Sequence, residues 1–283
     1  MPASIVCVHC NNEIPQPAER CPHCARPGIF WNVIAADDGE ERGELLIRYN
    51  TAKADALRRG TDKVLADFDQ AVAASVAVIA RSESEVLRLA TTTKQLYATY
   101  YEQLESNIRL PDGNEWDVVR EVTDTVLFPK FKREMRFGAL SIDGIGVVNY
   151  GSCSMALRSE MISHRASVFE ENSVLFMKHK KIKVSDPVLP KGFRAIWSDR
   201  AMLCIAKLAA VIDSTLLPDQ YSKLLLTQGG SSADDNFVEV HIWGPISVKT
   251  MEKVTVTASS SGPRATILKA VTSKLSKHDV TVV

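Results

Sequence analysis

The sequence has no run of roughly 18 apolar residues, the length a membrane helix needs. Its first residues carry no basic segment followed by an apolar stretch. Six cysteines in 283 residues are too few for a secreted disulfide scaffold, so a cytoplasmic protein with no membrane contact is expected. Net charge is lacking as well. The 34 basic residues balance 34 acidic ones, which excludes a global field toward nucleic acid or anionic surfaces and makes any such affinity local. Also absent are the phosphate-binding G-x-x-x-x-G-K-[ST] loop, the G-x-S-x-G elbow and the H-E-x-x-H zinc motif. Gly144-Ile-Gly146 lies in an Asp-Gly turn and reads as a hairpin, not a dinucleotide fingerprint.

Four of the cysteines have metal spacing. Cys7-Val-His-Cys10 and Cys21-Pro-His-Cys24 are two C-x-x-C pairs separated by the turn-rich Asn11–Arg20. Each pair brings two thiolates onto one tight turn, the separation that tetrahedral Zn–S bonds of about 2.3 Å require. A redox C-x-x-C sits singly on a βαβ unit, and an iron–sulfur site is the other alternative. The spacing favours one zinc ion held by Cys7, Cys10, Cys21 and Cys24 in a ribbon over residues 1–34. His9 and His23 are surplus to such a shell and are expected to be exposed. A closed shell of four thiolates is structural or serves to recognise a partner. Cys153 and Cys204 sit in apolar runs and read as core.

No proline occurs between Pro27 and Pro111. After a polar linker near 35–43, residues 40–107 read as a helical arm or hairpin. One helix is expected over 44–59 and a second from Thr61 to about Ser106. Val64, Phe68, Val72 and Val76 recur at i+4, and Val86, Leu89, Leu96, Tyr97, Tyr100 and Leu104 continue the stripe, the pattern of a helix with one buried face. Ser82 and Glu85 match a capping box, where the helix would break. An antiparallel pair or a homodimeric coiled coil would bury the stripe.

Leu110-Pro-Asp-Gly-Asn114 marks a second boundary, with Asn114 placed to cap a short helix through Val122. Residues 114–283 then alternate strand-like runs, at 137–142, 153–157, 173–177, 237–243 and 254–257, with helices, of which 198–213 is the clearest. That interspersion without a βαβ rhythm predicts an α+β domain with a mainly antiparallel sheet. Its own core would let residues 108–283 fold alone.

The chemistry concentrates where a glycine- and serine-rich loop, 227–236, enters Phe237-Val-Glu-Val-His-Ile-Trp-Gly-Pro245. Alternation puts Phe237, Glu239, His241 and Trp243 on one face and Val238, Val240 and Ile242 on the other. A carboxylate, an imidazole and two aromatics suit a flat, charged ligand. The alternative is an edge strand whose second face is solvated. Asp234, Asp235, Glu170 and Glu171 read as solvated turns, and the basic run Lys178–Lys183 as a solvated surface that could touch phosphates together with the ribbon.

A mobile loop leading into a strand with one glutamate resembles the glutamate strand of bacterial ADP-ribosyltransferase toxins. The segments Tyr150-Gly-Ser-Cys-Ser-Met-Ala-Leu and Arg165-Ala-Ser-Val-Phe-Glu-Glu-Asn-Ser173 resemble a bacterial family associated with that fold. The resemblance covers residues 135–257. It implies a toxin or defence effector that cleaves NAD and transfers ADP-ribose to a macromolecular target. Glu239 would steady the cationic sugar as nicotinamide leaves, as a carboxylate does in glycoside hydrolysis. Arg136, or else Arg165, would hold the phosphates. Ser167 or Ser173 would stand at the serine-rich strand motif, with Tyr150, His241 and Trp243 lining the cofactor. Enzymes of this kind that modify arginine carry Glu or Gln two residues before the catalytic glutamate; here that position is Phe237, so arginine is not the expected target. Glu239→Gln is then expected to slow the reaction by at least about 100-fold and hardly to change folding. The non-enzymatic alternative is an adaptor whose ribbon docks a protein or nucleic acid.

Overall fold

The computed structural model describes residues 4–7, 10–15, 20–26, 28, 30–105, 115–129, 131–183, 185, 188–231, 234–257 and 263–283. Strands β1 (Ser4–Val6) and β2 (Glu13–Pro15) pair antiparallel in the ribbon. Helices α1 (Trp31–Ala36), α2 (Gly39–Arg59) and α3 (Asp62–Ala73) follow, then β3 (Val76–Arg81), α4 (Glu83–Leu89), α5 (Tyr100–Glu105) and α6 (Glu115–Leu127). The second half runs β4 (Met135–Ser141), β5 (Cys153–Leu157), α7 (Ser159–Ile162), β6 (Ala166–Phe169), α8 (Ser173–His179), β7 (Arg194–Ile196), α9 (Arg200–Leu208) and α10 (Tyr221–Leu225). It ends with β8 (Leu226–Thr227), β9 (Asn236–Phe237), β10 (Glu239–Trp243), β11 (Met251–Val256), α11 (Pro263–Leu275) and β12 (Thr281–Val282).

Eight strands form one sheet in the order β12-β11-β5-β3-β4-β10-β6-β7. Every neighbouring pair is antiparallel except β11 with β12. The α+β class with a mostly antiparallel sheet is therefore as the sequence implied. The helical arm is not. Val76–Arg81 is a strand held between β4 and β5 near the middle of the sheet. Residues 40–107 thus contribute to the same sheet as residues 114–283, and the continuous helix that would support a coiled-coil dimer does not form. The i+4 stripe belongs to α3, which buries Leu65, Phe68 and Val72. At Val76 the apolar run becomes β-branched and unbroken, as a strand buried on both faces requires; its four central residues are all buried.

Two further expectations change. The stretch near 35–43 is not a linker, because the Asp38 carboxylate accepts the Glu41 N–H and caps α2 from Gly39 onward. The run at 173–177 is helical, because Asn172 Oδ1 accepts the Val174 N–H and starts α8. Ser82 does accept the Glu85 N–H as the cap of α4. Asn114 lies outside the described residues.

The two faces of the sheet have different covers. Ile79, Leu140, Val168, Val240 and Ile242 share one aliphatic core with Phe68, Val72, Leu203 and Ile205 of α3 and α9, where α2 also packs. Opposite, Met135 and Phe169 meet Leu127 and Phe128 at the end of α6 and Phe176 of α8, with Phe131, Phe137, Phe193 and Trp243 packed around them. That second, aromatic core encloses the polar groups described next.

Candidate functional sites

The ribbon is built from one turn used twice. Cys7 N–H donates to Asn12 O and Asn11 N–H to Cys7 O; Cys21 N–H donates to Arg26 O and Ala25 N–H to Cys21 O. Asn11 and Ala25, each just after the second cysteine of its pair, take left-handed conformations with φ of 58° and 56°. The four Sγ atoms lie within 4.8 Å of one another, with Cys7 to Cys24 at 3.7 Å and Cys10 to Cys21 at 3.5 Å. Sulfurs at the corners of a tetrahedron of 2.3 Å bonds stand about 3.8 Å apart, so the cluster could hold a metal ion such as zinc. His23 N–H points at Cys21 Sγ while its residue is exposed, as expected; His9 lies outside the described residues.

Helix α1 joins the ribbon to the sheet. Buried Asn32 directs its Nδ2 at Arg165 O, Ser167 Oγ and His241 O, at 3.1, 3.3 and 3.0 Å. One side chain thus ties the segment after the cysteines to β6 and β10 together.

Glu239 lies on β10, an interior strand flanked by β4 and β6, and its residue is 1 % exposed. Neither an open sheet face nor an edge strand describes it. Its Oε2 accepts the Ser173 N–H and the ring N–H of His241 Nε2, both at 3.0 Å. Its Oε1 faces Arg120 Nη1 at 3.5 Å. Arg120 comes from α6, stacks on the Phe137 ring at 3.9 Å, and sets Nε 3.0 Å from Asp124 Oδ1. Asp124 Oδ2 in turn accepts the Tyr101 hydroxyl at 2.9 Å. His241 is packed edge-on by Phe128 and Phe137 and stacked by Phe169.

Burial alone would raise the Glu239 pKa. The Arg120 charge, His241 and the Ser173 N–H outweigh it and lower the value to about 2, so the carboxylate is ionised. One guanidinium cannot neutralise two buried carboxylates fully. Asp124, desolvated and repelled by Glu239, has its pKa raised. Burial likewise pushes the Tyr150 phenol up to about 12, with Arg120 and Glu239 both close enough to act on it. Three buried polar atoms here make no hydrogen bond: Arg120 Nη2, Asp124 Oδ1 and Ser173 Oγ.

The structure thus gathers Glu239, His241, Ser173 and Tyr150 around one point, and the cation there is Arg120, which the sequence reading did not select. The two arginines it did select are elsewhere. Arg136 pairs across the sheet with Ile242, on the opposite face from Glu239; it donates to Glu134 O and faces Glu102 at 3.4 Å. Arg165 donates to Met161 O, Trp243 O and Pro245 O, clamping the end of β10. Ser167 meets Asn32, and Trp243 lies against Phe131 and Phe30, away from the carboxylate.

No family model and no curated protein matches the chain. The likeness to ADP-ribosyltransferase toxins therefore rests on the residues that carry it and on nothing beyond them.

Several acidic residues read as solvated are internal. Asp235 is fully buried, and its carboxylate accepts from Asn149 Nδ2 and Gly229 N–H, closing the 229–235 loop. Glu171 takes Asn236 Nδ2 and His179 Nδ1 at 2.8 and 2.9 Å, and Glu170 pairs with Arg48. Among the described residues no helix is long and apolar enough to cross a membrane.

Proposed function

We propose that this chain is a zinc-stabilised, ADP-ribosyltransferase-like enzyme: it cleaves NAD between ribose and nicotinamide and passes the sugar to a macromolecular acceptor. The observation that carries the reading is Glu239, an ionised carboxylate at 1 % exposure among aromatic rings. Charge held ready in a water-excluded setting stabilises a cationic sugar far more strongly than the same charge in water. A carboxylate with a pKa of about 2 is a poor proton acceptor at neutral pH, so its work is electrostatic and not general-base catalysis. His241 and the Ser173 N–H fix its orientation. Phe237, two residues earlier and buried, offers no polar group to an incoming arginine, which directs the acceptor toward other side chains or nucleic acid. Zinc in the four-cysteine shell has no chemical step here; it stabilises the ribbon.

The second reading is a non-catalytic adaptor whose ribbon docks a protein or nucleic acid. It is favoured by the same burial, since Arg120 already occupies the Glu239 carboxylate. Labelled NAD incubated with purified protein and a cell extract separates the two. The enzyme releases nicotinamide and labels a component of the extract, and Glu239→Gln, verified as folded at the assay temperature, lowers the rate by about 100-fold or more. Absence of both signals from the wild-type protein and from Arg120→Ala, which frees the Glu239 carboxylate, leaves the adaptor reading.

A further inference from the structure

The polar site around Arg120 is a cage for a planar cation, and its present occupant fits it poorly. One wall is the face of Phe137, 3.9 Å from the guanidinium carbon. A second is the Glu239 carboxylate, itself anchored by His241 and the Ser173 N–H. A third is Asp124, the residue one turn along α6, with the Tyr101 hydroxyl behind it. The phenol of Tyr150 lies near enough to feel both Arg120 and Glu239. An aromatic face, a carboxylate and a desolvated surround are what selects a flat positive group over a solvated one.

The occupant leaves polar capacity unused. Arg120 reaches Glu239 only at 3.5 Å, through a single nitrogen, where a well-seated guanidinium–carboxylate pair makes two bonds of about 2.7–2.9 Å. Its Nη2 is buried without a hydrogen bond, and so is the Oγ of Ser173, a residue with no exposed surface beside the same carboxylate. A buried donor left unpaired is unfavourable. Two such atoms, on the two residues whose Nη1 and backbone N–H meet one ionised carboxylate, mark a position shaped for more than the arginine that fills it.

We propose that Arg120 is an intramolecular stand-in for a planar cationic ligand, and that withdrawal of this arginine opens a cage selective for guanidinium- and pyridinium-type cations. The cage stands on its geometry. It rests on the proposed function only for the identity of the natural occupant, the positively charged nicotinamide end of NAD. On that reading α6 is also a built-in inhibitor, because substrate and Arg120 cannot hold the Phe137–Glu239 position together.

The test empties the cage and offers it small cations. Arg120→Ala in the full-length chain is expected to melt about 5 °C or more below wild type, since it leaves Glu239 as an uncompensated buried charge. Guanidinium chloride or 1-methylnicotinamide at about 10 mM should restore a third or more of that loss in a saturable way, as a ligand that binds only the folded state must. Methylammonium, charged but not planar, should not. Wild type should show no gain with any probe, and the double variant Arg120→Ala/Glu239→Gln should show none either. Where Arg120→Ala fails to fold unaided, its refolding yield with and without each probe provides the same comparison. Equal effects of methylammonium and guanidinium, a rise that persists in the double variant, or no rise at all would overturn the cage. Rescue by planar cations without NAD cleavage by either wild type or Arg120→Ala keeps the cage and removes the enzyme reading. Glu239-dependent cleavage without rescue does the reverse.

Discussion

Replacing Glu239 by Gln keeps the shape of the side chain and removes one buried charge, so its effect on stability can be worked out from the site. The ordinary glutamate value is 4.5 and the folded-state value is about 2; at about 1.4 kcal/mol per tenfold difference this corresponds to about 3 kcal/mol of stability at neutral pH. The variant also relieves Asp124, whose pKa is raised partly by the Glu239 charge, and lets Arg120 pair with it alone. The net loss at pH 7 should therefore be about 2 to 3 kcal/mol. Because the folded pKa lies below the unfolded one, the contribution is complete above about pH 5 and disappears as pH falls from about 4.5 toward 2. At pH 3 the gap between the two proteins should shrink to about 1 kcal/mol. Urea unfolding followed by circular dichroism, at both pH values and equal ionic strength, measures it. A variant as stable as wild type at pH 7, or a gap that does not narrow at pH 3, would refute the electrostatic account. The sequence alone suggested that this substitution would hardly change folding, which holds for an exposed carboxylate and not for one with 1 % exposure.

Two other outcomes follow from the architecture. Elemental analysis should find one zinc per chain, lost on Cys21→Ser with Cys24→Ser; hydrogen exchange in that variant should rise through the ribbon and α1 while β10 stays protected, and retained zinc or the presence of iron would contradict the site. A fragment of residues 108–283 should be insoluble or melt without cooperativity, because deleting β3 leaves β4 and β5 with unpaired backbone in the middle of the sheet; a cooperative thermal transition in the fragment would show that the sheet closes without it.

The cysteine cluster was legible because its information is local. Two C-x-x-C turns each carry their own geometry, and the metal needs only that both turns meet. The class of the fold was legible for a similar reason, since runs such as 153–157 and 237–243 announce strands in any context. The helical arm failed at Val76, where an i+4 match continued a real helix past its end. What ends α3 at Ala73 is a sheet position that sequence-distant strands create, and tertiary pairing overrides local propensity at such a point.

The carboxylate's partner illustrates where residue-level reading stops. Alternation correctly placed Glu239, His241 and Trp243 on one face, but choosing an arginine for that face requires the register of a second strand. Glu239 pairs with Ala139 and His241 with Phe137, so the odd-numbered positions of β4 share their face. Arg136, an even-numbered neighbour, is turned to the other side by one residue, and a slip of one residue reverses every side chain in a strand. Arg120 arrives from a helix whose sequence position says nothing about the sheet. Its aim at Glu239 depends on Phe128, one turn beyond Asp124, packing on His241 at 4.8 Å and seating the end of α6 on the aromatic face. The cation beside the glutamate is thus set by packing across three elements, and that same packing makes Arg120, more than Arg136 or Arg165, the residue whose removal will decide what the site can bind.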